Sequence, residues 1–247
     1  MLRVAFIIPV KIDVLNEQSK IFTLIQNFFN TRNHRYQYNF YLGFNFQDPC
    51  LNNIHIFNRF MGPQFTVRCF EFEPTIKTGH LTVMWNKLFE TSFHENDYFY
   101  QLGDDILFDN YNFLDLYIDT LQKSHNVGVT GYLTKNGNTK ILTQSFVSKK
   151  HFDIFGFYFP ESIINWFCDN WISDVYRKHN LYFPLANKIV NSGGKERYVV
   201  NQSPNNYLME LDKGAQILQN YLNRYLLHEQ SKKRVSRMTS LKKLNIM

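Results

Sequence analysis

Apolar residues recur along this chain with two different spacings, one typical of strands and one typical of helices, and segments of the two kinds alternate. Stretches rich in aromatic and β-branched residues predict β-strands, at 2–10, 36–46, 65–72, 127–133, 141–147 and within 97–108. Apolar residues spaced three and four apart predict helices, at 16–29, 78–93, 161–179, 207–229 and from a cap at Asp109 or Asn110 to Leu121. The segments 47–64 and 184–206 carry Asn, Gly and Pro and predict loops.

The order of these elements predicts the fold class. Strand, helix, strand, loop, strand, helix, strand is typical of an α/β protein with a mostly parallel, doubly wound (Rossmann-like) sheet. Asn136-Gly137, between two predicted strands, indicates a hairpin turn. Because the sequence has no internal repeat and no clear linker, we interpret 1–206 as one domain. We expect 207–247 to form a C-terminal helix and a basic tail packed on the same domain.

A pair of adjacent carboxylates follows the central predicted strand. The aromatic run that starts at Asp97 leads through Leu102 into Gly103, Asp104 and Asp105, and ligands of open α/β sheets bind beyond the carboxyl ends of the strands. Two carboxylates in one site resist joint ionisation unless a positive charge lies nearby. A hard divalent cation, its shell completed by phosphate oxygens, meets that need. The alternative is an ordinary turn, since Gly and Asp are common there.

A second candidate site falls in the predicted helix 161–179. At about 100° per residue, one stripe faces the core and consists of Ile164, Cys168, Trp171, Ile172 and Val175. Asn165, Trp166 and Asp169 lie off this stripe and near one another. An indole beside a carboxylate suits a sugar, and Asp169 can act as a general base if burial raises its pKa. The alternative is a partly covered Trp and a solvated Asp.

Composition and charge narrow the class of protein. The formal charge is +6, and much of the excess falls after Arg224, where Glu229 is the only acid. The rest of the chain is close to neutral, so we expect no nucleic-acid binding, although the basic tail can contact a membrane surface or a protein weakly. No apolar run approaches the roughly 20 residues of a membrane span. The three cysteines show no zinc or disulfide pattern, and together these features favour a cytoplasmic location.

Several other polar residues are weaker candidates. The sequence has no glycine-rich phosphate loop, so a metal is the better candidate to hold phosphates. Asp48, after the second predicted strand, can bind a nucleoside, and Asn86 on the helix 78–93 can bind either a ligand or the backbone. Arg197 in the late loop can close over a pyrophosphate. His151 is more often a packing residue than a ligand-binding one.

In this order, the features resemble those of glycosyltransferases with the GT-A fold. The chain opens with a strand that ends near Pro9, places Asp48 after an early strand, and carries Asn86 on the helix before the carboxylates. The segment Leu102-Gly103-Asp104-Asp105 matches the xDD form of the DXD motif of these enzymes, and Asp169 matches their later acidic residue. The resemblance covers about residues 1–180, and the Asn-, Phe- and Tyr-rich composition is similar to that of glycosyltransferases of large DNA viruses.

The resemblance implies a metal-dependent glycosyltransferase with a nucleoside-diphosphate sugar donor, UDP- or GDP-linked. Asp105 and Asp104 would bind Mn²⁺ or Mg²⁺, with Asp104 also near the donor, whose site would further include Pro9, Asp48, Lys77 and Asn86. Asp169 would deprotonate the acceptor hydroxyl, with inversion at the anomeric carbon. The acceptor, a glycan, a glycoprotein or another hydroxyl compound, would contact Trp166, Trp171 and His151. A viral protein of this kind would act in the host cytoplasm.

Two other functions stay open on the sequence alone. A nucleotidyltransferase uses a similar sheet and metal, but usually carries a glycine-rich basic loop where this chain has Lys11-Ile12-Asp13. A non-catalytic carbohydrate- or partner-binding protein is the other alternative. In that case the tail, with Tyr221, Leu222, Tyr225 and Leu226 beside basic residues, would dock onto a partner or a membrane surface.

Overall fold

The structure is a computed structural model that describes residues 1–193 and 197–244, without the side chains of 226 and 228–244. Its strands are β1 (Leu2–Pro9), β2 (Tyr36–Phe44), β3 (Phe65–Glu71), β4 (Tyr98–Gln101), β5 (Ile106–Phe108), β6 (Val129–Thr134), β7 (Ser145–Ser148) and β8 (Tyr182–Asn191). Its α-helices are α1 (Lys20–Thr31), α2 (Leu81–Ser92), α3 (Leu114–Lys123), α4 (Lys150–Phe155), α5 (Cys168–Arg177) and α6 (Pro204–Leu244). Two 3-10 segments span Pro49–Phe60 and Phe93–Glu95.

All eight strands join one sheet in the order β3-β2-β1-β4-β7-β6-β8-β5. The first four run parallel to one another, and β8 runs parallel to β6. Strand β7 is antiparallel to both β4 and β6, and β5 is antiparallel to β8. The predicted α/β class with a mostly parallel sheet is therefore confirmed.

Helices cover both faces of the parallel half, which explains the near-continuous apolar runs of its strands. Along β1, Val4, Phe6 and Ile8 enter a core beneath α1 and α3, whereas Ala5 and Ile7 enter a second core beneath α2, α4 and α5. The first core is an aromatic layer, with the ring of Phe6 4.4 Å from that of Phe40 and 4.7 Å from that of Phe28. These two cores fix the carboxyl ends of β1 and β4 side by side.

Helix α5 begins at Cys168, seven residues later than the sequence predicts. Asn165 explains the difference, because its side chain bonds backbone outside a helix: Nδ2 donates to Gly79 O (2.9 Å) and Val199 O (3.0 Å), and Oδ1 accepts from Asn201 N (2.9 Å). Such bonds compete with helical ones. Asn165 and Trp166 are therefore not on the helix that carries Asp169, and the predicted helical neighbourhood of these three residues is wrong.

The segment 184–206 is not all loop, since β8 extends to Asn191. Pro184 and several polar residues give β8 no strand pattern, and the strand exists because it pairs with β6 and β5. The connection predicted as a hairpin turn at Asn136-Gly137 is a longer loop, although β6 and β7 do pair antiparallel as a hairpin requires. Strand β7 starts only at Ser145, and Asn136 instead exchanges hydrogen bonds with Asn191, donating to its O (2.7 Å) and accepting from its N (3.1 Å).

The N-terminal part of α6 packs against α5. Trp171 Nε1 donates to Glu210 O at 2.9 Å, and Tyr207 OH donates to Asp174 Oδ2 at 2.6 Å. Gly214 permits this close approach, since a Cβ atom there would lie 3.0 Å from both Trp171 and Val175. Among the described residues, no helix is both long and apolar enough to cross a membrane.

The aromatic layer yields a stability prediction. We expect Phe6→Ala to lower the free energy of unfolding by about 3–5 kcal/mol, because it leaves a cavity between stacked rings. For a chain of this size that loss corresponds to a fall of roughly 10 °C in Tm. Phe46→Ala is the matched control, since this ring is 46% exposed, and it should change stability little. Equal losses in the two variants would contradict the assignment of Phe6 to the core.

Candidate active site

The two adjacent carboxylates lie where β4 ends, beside the end of β1. Asp104 is 1% exposed and Asp105 is 7% exposed. The backbone N–H of Lys11, just past β1, donates to Asp104 Oδ2 at 2.7 Å. This arrangement follows from the parallel pairing of β1 with β4, because the carboxyl ends of such strands meet at one edge of the sheet.

The guanidinium of Arg197 bridges the two carboxylates. It lies 2.6 Å from Asp104 Oδ1 and 3.0 Å from Asp105 Oδ2, and it also donates to Asp104 Oδ2 at 3.0 Å. The same side chain donates to Lys11 O. The site therefore has the positive charge that a pair of buried carboxylates requires, and the late loop supplies it.

The segment after β8 closes over Asp105. Ser192 donates to Asp105 O from both its N (3.0 Å) and its Oγ (2.6 Å). At Gly193 a Cβ atom would overlap Asp105 Oδ2, so any larger residue there would force the Asp105 carboxylate to move. Burial raises the pKa of the Asp105 carboxyl, the charge of Asp104 raises it further, and Arg197 and Lys20 oppose both effects.

The two carboxylates can supply part of the coordination shell of a divalent cation. Carboxylate oxygens are the hard ligands that Mg²⁺ and Mn²⁺ accept, with phosphate oxygens and waters filling the other positions. The described residues contain no cluster of three or more His, Cys, Asp or Glu suited to a metal. A cation at this site would thus depend on ligand oxygens from a bound phosphate group, and Arg197 would have to move from its present position.

A cleft of about 600 Å³ opens in front of the carboxylates. The ends of β1 and β2 and the turn before α2 line one part, through Pro9, Val10, Asn45, Thr78 and Gly79. The loop before β7 and the start of α5 line another part, through Ile141, Thr143, Gln144, Asn165, Trp166, Phe167, Cys168, Asp169 and Asn170. Asp104, Asp105 and Arg197 also line it. The cleft is large enough for a ligand that touches all three groups.

Asp169 lies in the first turn of α5 and lines this cleft. The Asp169 side chain is partly exposed but has protein on most sides. The resulting desolvation raises the pKa of the Asp169 carboxyl to about 7. A hydrogen bond from Cys168 Sγ (3.6 Å) opposes this rise. Among the described residues, no cation contributes to this shift of the Asp169 pKa. A carboxyl that titrates near neutrality in a cleft is suited to general base catalysis.

The structure brings together five of the residues that the sequence nominated: Pro9, Asp104, Asp105, Trp166 and Asp169 all line the cleft. Trp166 is 45% exposed at its rim. The roles of these residues stay predictions, because no ligand contact tests them. Arg197, which the sequence suggested only as a loop residue that can close over a pyrophosphate, also lines the cleft.

Three residues predicted to bind the donor lie outside the cleft lining. Asp48 caps the 3-10 segment, with Oδ1 accepting from Cys50 N at 3.0 Å. Asn86 is buried, and its amide bonds backbone atoms of Tyr158 and Phe159 (N–H donors at 3.0 and 2.9 Å, O acceptor at 2.8 Å). Lys77 is exposed, and its neighbours Thr78 and Gly79 line the cleft instead.

Two residues predicted to bind the acceptor are core residues. Trp171 is 0% exposed and packs between α5 and α6, as the helical stripe indicated. His151 is buried, with Nδ1 2.8 Å from Tyr176 OH and Nε2 3.0 Å from Tyr158 O, and desolvation lowers its pKa to about 4. Neither residue lines the cleft, so the structure gives no support to either acceptor assignment.

Sequence reasoning missed Gln144, and it missed the backbone-bonding role of Asn165, which it had placed near Asp169 on a helix. Gln144 Oε1 accepts from Gly103 N at 2.7 Å and so holds the turn that carries the carboxylates. Asn165 ties the segment that follows Arg197 to Gly79. No local pattern marks such residues, because their partners lie far away in the sequence.

No protein-family model and no curated protein sequence matches the chain. Solved structures do match. The chain resembles TarS 1–349 of S. aureus with a TM-score of 0.54 and 13% identity, over 89% of this chain and 66% of that one. It resembles the mannosyltransferase PcManGT of Pyrobaculum calidifontis, in complex with GDP-Man and Mn²⁺, with a TM-score of 0.55 and 12% identity, over 87% and 69%.

A third likeness is to the catalytic domain of Drosophila β1,4-galactosyltransferase 7 in complex with xylobiose, with a TM-score of 0.53 and 12% identity over 85% of this chain and 79% of that one. Identities this low establish the fold alone. The chain has the GT-A fold, with an eight-stranded mixed sheet and a C-terminal helix. These structures come from a bacterium, an archaeon and an insect, so they lend no support to a viral origin.

The raised pKa of Asp169 predicts a pH-dependent stability. Its folded pKa of about 7 lies above the ordinary value near 4, so its contribution favours folding below pH 4 and is lost as pH rises through 7. We therefore expect the free energy of unfolding of Asp169→Asn to exceed that of the wild type by up to about 4 kcal/mol at pH 8. Near pH 4 the two free energies should be equal.

Urea unfolding at pH 4, 6 and 8 measures this difference. Asp119→Asn is the matched control, since Asp119 is exposed on α3, and it should give the same small change at each pH. An Asp169→Asn variant less stable than the wild type at pH 8 would contradict a desolvated carboxylate.

Proposed function

We propose that this protein is a glycosyltransferase that moves a sugar from a nucleoside-diphosphate sugar to an acceptor hydroxyl. One observation carries the proposal: a single cleft holds a carboxylate pair at the end of β4 and an aspartate with a pKa of about 7 on α5. Leaving-group stabilisation and deprotonation of a nucleophile are the two requirements of such a transfer. The proposal gains support from solved structures of the same fold, among them a mannosyltransferase in complex with GDP-Man and Mn²⁺.

The carboxylate pair is the proposed diphosphate end of the site. Asp105 and Asp104 would hold Mn²⁺ or Mg²⁺, which when bound supplies Lewis-acid stabilisation of the charge that develops on the nucleoside diphosphate. Arg197 would then turn from the carboxylates to the phosphate oxygens, for which its planar guanidinium is suited. Pro9, Asn45 and Thr78, at the neighbouring end of the cleft, are the proposed contacts of the nucleoside.

Asp169 is the proposed general base. In its ionised form it would accept the proton of the acceptor hydroxyl as that oxygen attacks the anomeric carbon and the diphosphate leaves. A base on the side opposite the leaving group implies single displacement with inversion. Trp166, exposed at the rim of the cleft, offers an apolar ring face on which a glycan or another hydroxyl acceptor would lie.

A metal-independent form of the same reaction is the second candidate. The observation in its favour is that Arg197 already pairs with both carboxylates, 2.6 Å from Asp104 Oδ1 and 3.0 Å from Asp105 Oδ2. In this form Arg197 and Lys20 would supply the positive charge for the diphosphate. The cytoplasmic location, the boundary near residue 206 and the contact of the basic tail with a membrane or a protein stay predictions.

Nucleotide binding tests the diphosphate site. We expect UDP or GDP with Mn²⁺ to raise Tm, because a ligand at 100 times its Kd adds about 2.7 kcal/mol, or roughly 5–10 °C for a chain of this size. Asp105→Asn should abolish the metal-dependent part of this rise, whereas the exposed control Asp119→Asn should keep it. CDP is the third nucleotide tested in this thermal-shift screen.

The outcomes of the screen separate the two candidates. A rise that needs Mn²⁺ and is lost in Asp105→Asn supports the metal site. A rise without metal that Arg197→Gln removes supports the metal-independent form. If no nucleotide changes Tm in either condition, the glycosyltransferase proposal is wrong and a non-catalytic binding protein takes its place.

Transfer kinetics test the general base. We expect Asp169→Asn to lower kcat by about 10²- to 10⁴-fold while nucleotide affinity stays within a factor of about two. In the wild type, kcat should rise with pH through about 7, because only the ionised carboxyl accepts a proton. An Asp169→Asn variant with unchanged kcat, or a wild-type rate that falls across this range, would exclude Asp169 as the base.

A further inference from the structure

Arg197 is the counter-ion of the two carboxylates that are the proposed metal ligands. Its guanidinium lies 2.6 Å from Asp104 Oδ1 and 3.0 Å from Asp105 Oδ2, so one charged group contacts both acids. Among the described residues, no other Lys, Arg or His forms an ion pair with either carboxylate. A buried carboxylate is costly without a counter-charge. The free protein therefore depends on Arg197 to neutralise the pair.

The residues that follow Arg197 hold it at the carboxylates. Tyr198 packs on Gly79, where a Cβ atom would lie 2.9 Å from Tyr198 Cβ. Asn165 Nδ2 donates to Val199 O at 3.0 Å and to Gly79 O at 2.9 Å, which joins the same two segments. The position of Arg197 is thus set by the packing of its own segment as well as by the attraction of the acids.

Arg197 also has open space into which its side chain can move. It lines the cleft and a second cavity of about 510 Å³, beside the segment between β1 and α1. Its side chain is 33% exposed. A guanidinium with space on two sides can leave the carboxylates without displacing a packed core, so this ion pair can open and close.

Arg197 and a divalent cation compete for the same carboxylate oxygens. Both are positively charged, and like charges at one site repel each other. The described residues provide no cluster of three His, Cys, Asp or Glu that would hold a metal strongly, so a cation alone gains little that offsets loss of the ion pair. A diphosphate changes this balance, because its oxygens complete the shell of a cation and also accept a guanidinium through two hydrogen bonds.

We propose that Arg197 is an internal competitor of the divalent cation, which it excludes from Asp104 and Asp105 in the free protein. A nucleoside diphosphate lets the cation bind, because it attracts Arg197 to its own oxygens. This inference rests on the proposed function for the identity of the cation site and of the diphosphate. It makes the binding of metal and nucleotide mutually dependent, and linkage requires that dependence to be reciprocal.

The affinity for Mn²⁺ in the absence of nucleotide tests the competition. It is measured from the electron paramagnetic resonance signal of free Mn²⁺, for the wild type, Arg197→Gln, Arg197→Lys and Lys20→Gln. Lys20 is the matched control, because it lines the second cavity with Arg197 but its Nζ donates to Ser192 O. Its replacement removes a nearby positive charge and leaves the ion pair of Arg197 in place.

We expect Arg197→Gln to bind Mn²⁺ at least about ten-fold more tightly than the wild type, because the apparent affinity falls with the fraction of protein that is competent to bind. Lys20→Gln should gain less than about five-fold, the effect of one exposed charge. Arg197→Lys should also gain affinity, since it keeps the charge but loses the planar fork that reaches both acids. UDP or GDP should tighten Mn²⁺ binding by about 5- to 150-fold in the wild type and by a smaller factor in Arg197→Gln.

Equal Mn²⁺ affinities in Arg197→Gln and the wild type would overturn the competition. A gain no larger than that of Lys20→Gln would overturn it too, since charge alone would then explain the result. The same holds for a gain that persists when Asp105→Asn is added to Arg197→Gln, because the cation would then bind elsewhere. These measurements use Mn²⁺ alone. If they agree with expectation and no nucleotide alters Mn²⁺ binding, the competition stands and the failure belongs to the proposed function.

Discussion

Two buried carboxylates next to each other need a positive charge, and much of the cleft is arranged to satisfy that need. Asp104 and Asp105 cannot both be ionised at low exposure without it. Arg197, 92 residues after Asp105 in the chain, supplies this charge. Gly193 lets the backbone approach Asp105 closely enough for the loop to place the guanidinium there. The end of β1 contributes the Lys11 amide. The same requirement makes the pair a natural position for a cation or for the neutralisation of a diphosphate.

Side-chain amides position the irregular segments around this charge. Asn165 ties the turn before α2 to the segment after Arg197, and Asn86 holds the backbone that follows α4. Gln144 and Asn136 do the same for the turn after β4 and the end of β8. Loops cannot use the regular bonding of helices and strands, so side-chain amides, with two donors and an acceptor, satisfy their backbone groups instead.

Two destabilising features lie in the cleft. Asp169 gives up hydration, which raises its pKa to about 7, and the Thr143 hydroxyl is buried without a partner. Both reduce the stability of the free protein, and the Asp169 carboxyl is the group that the proposed reaction would use as its base. Such sites reflect the general opposition between stability and activity, in which a preorganised site is stabilised only when its ligand arrives.

The sequence by itself determined the elements whose signal is local. Apolar runs identified β1, β2 and the other strands of the parallel half, and the placement of Gly103, Asp104 and Asp105 after β4 followed from the strand that precedes them. Tertiary structure decided the rest. Strand β8 exists through pairing with β6 and β5, α5 starts late because Asn165 bonds distant backbone, and His151 is a core residue. Periodicity reports which face of an element is buried, whereas the partner of a polar group depends on contacts between residues far apart in the chain.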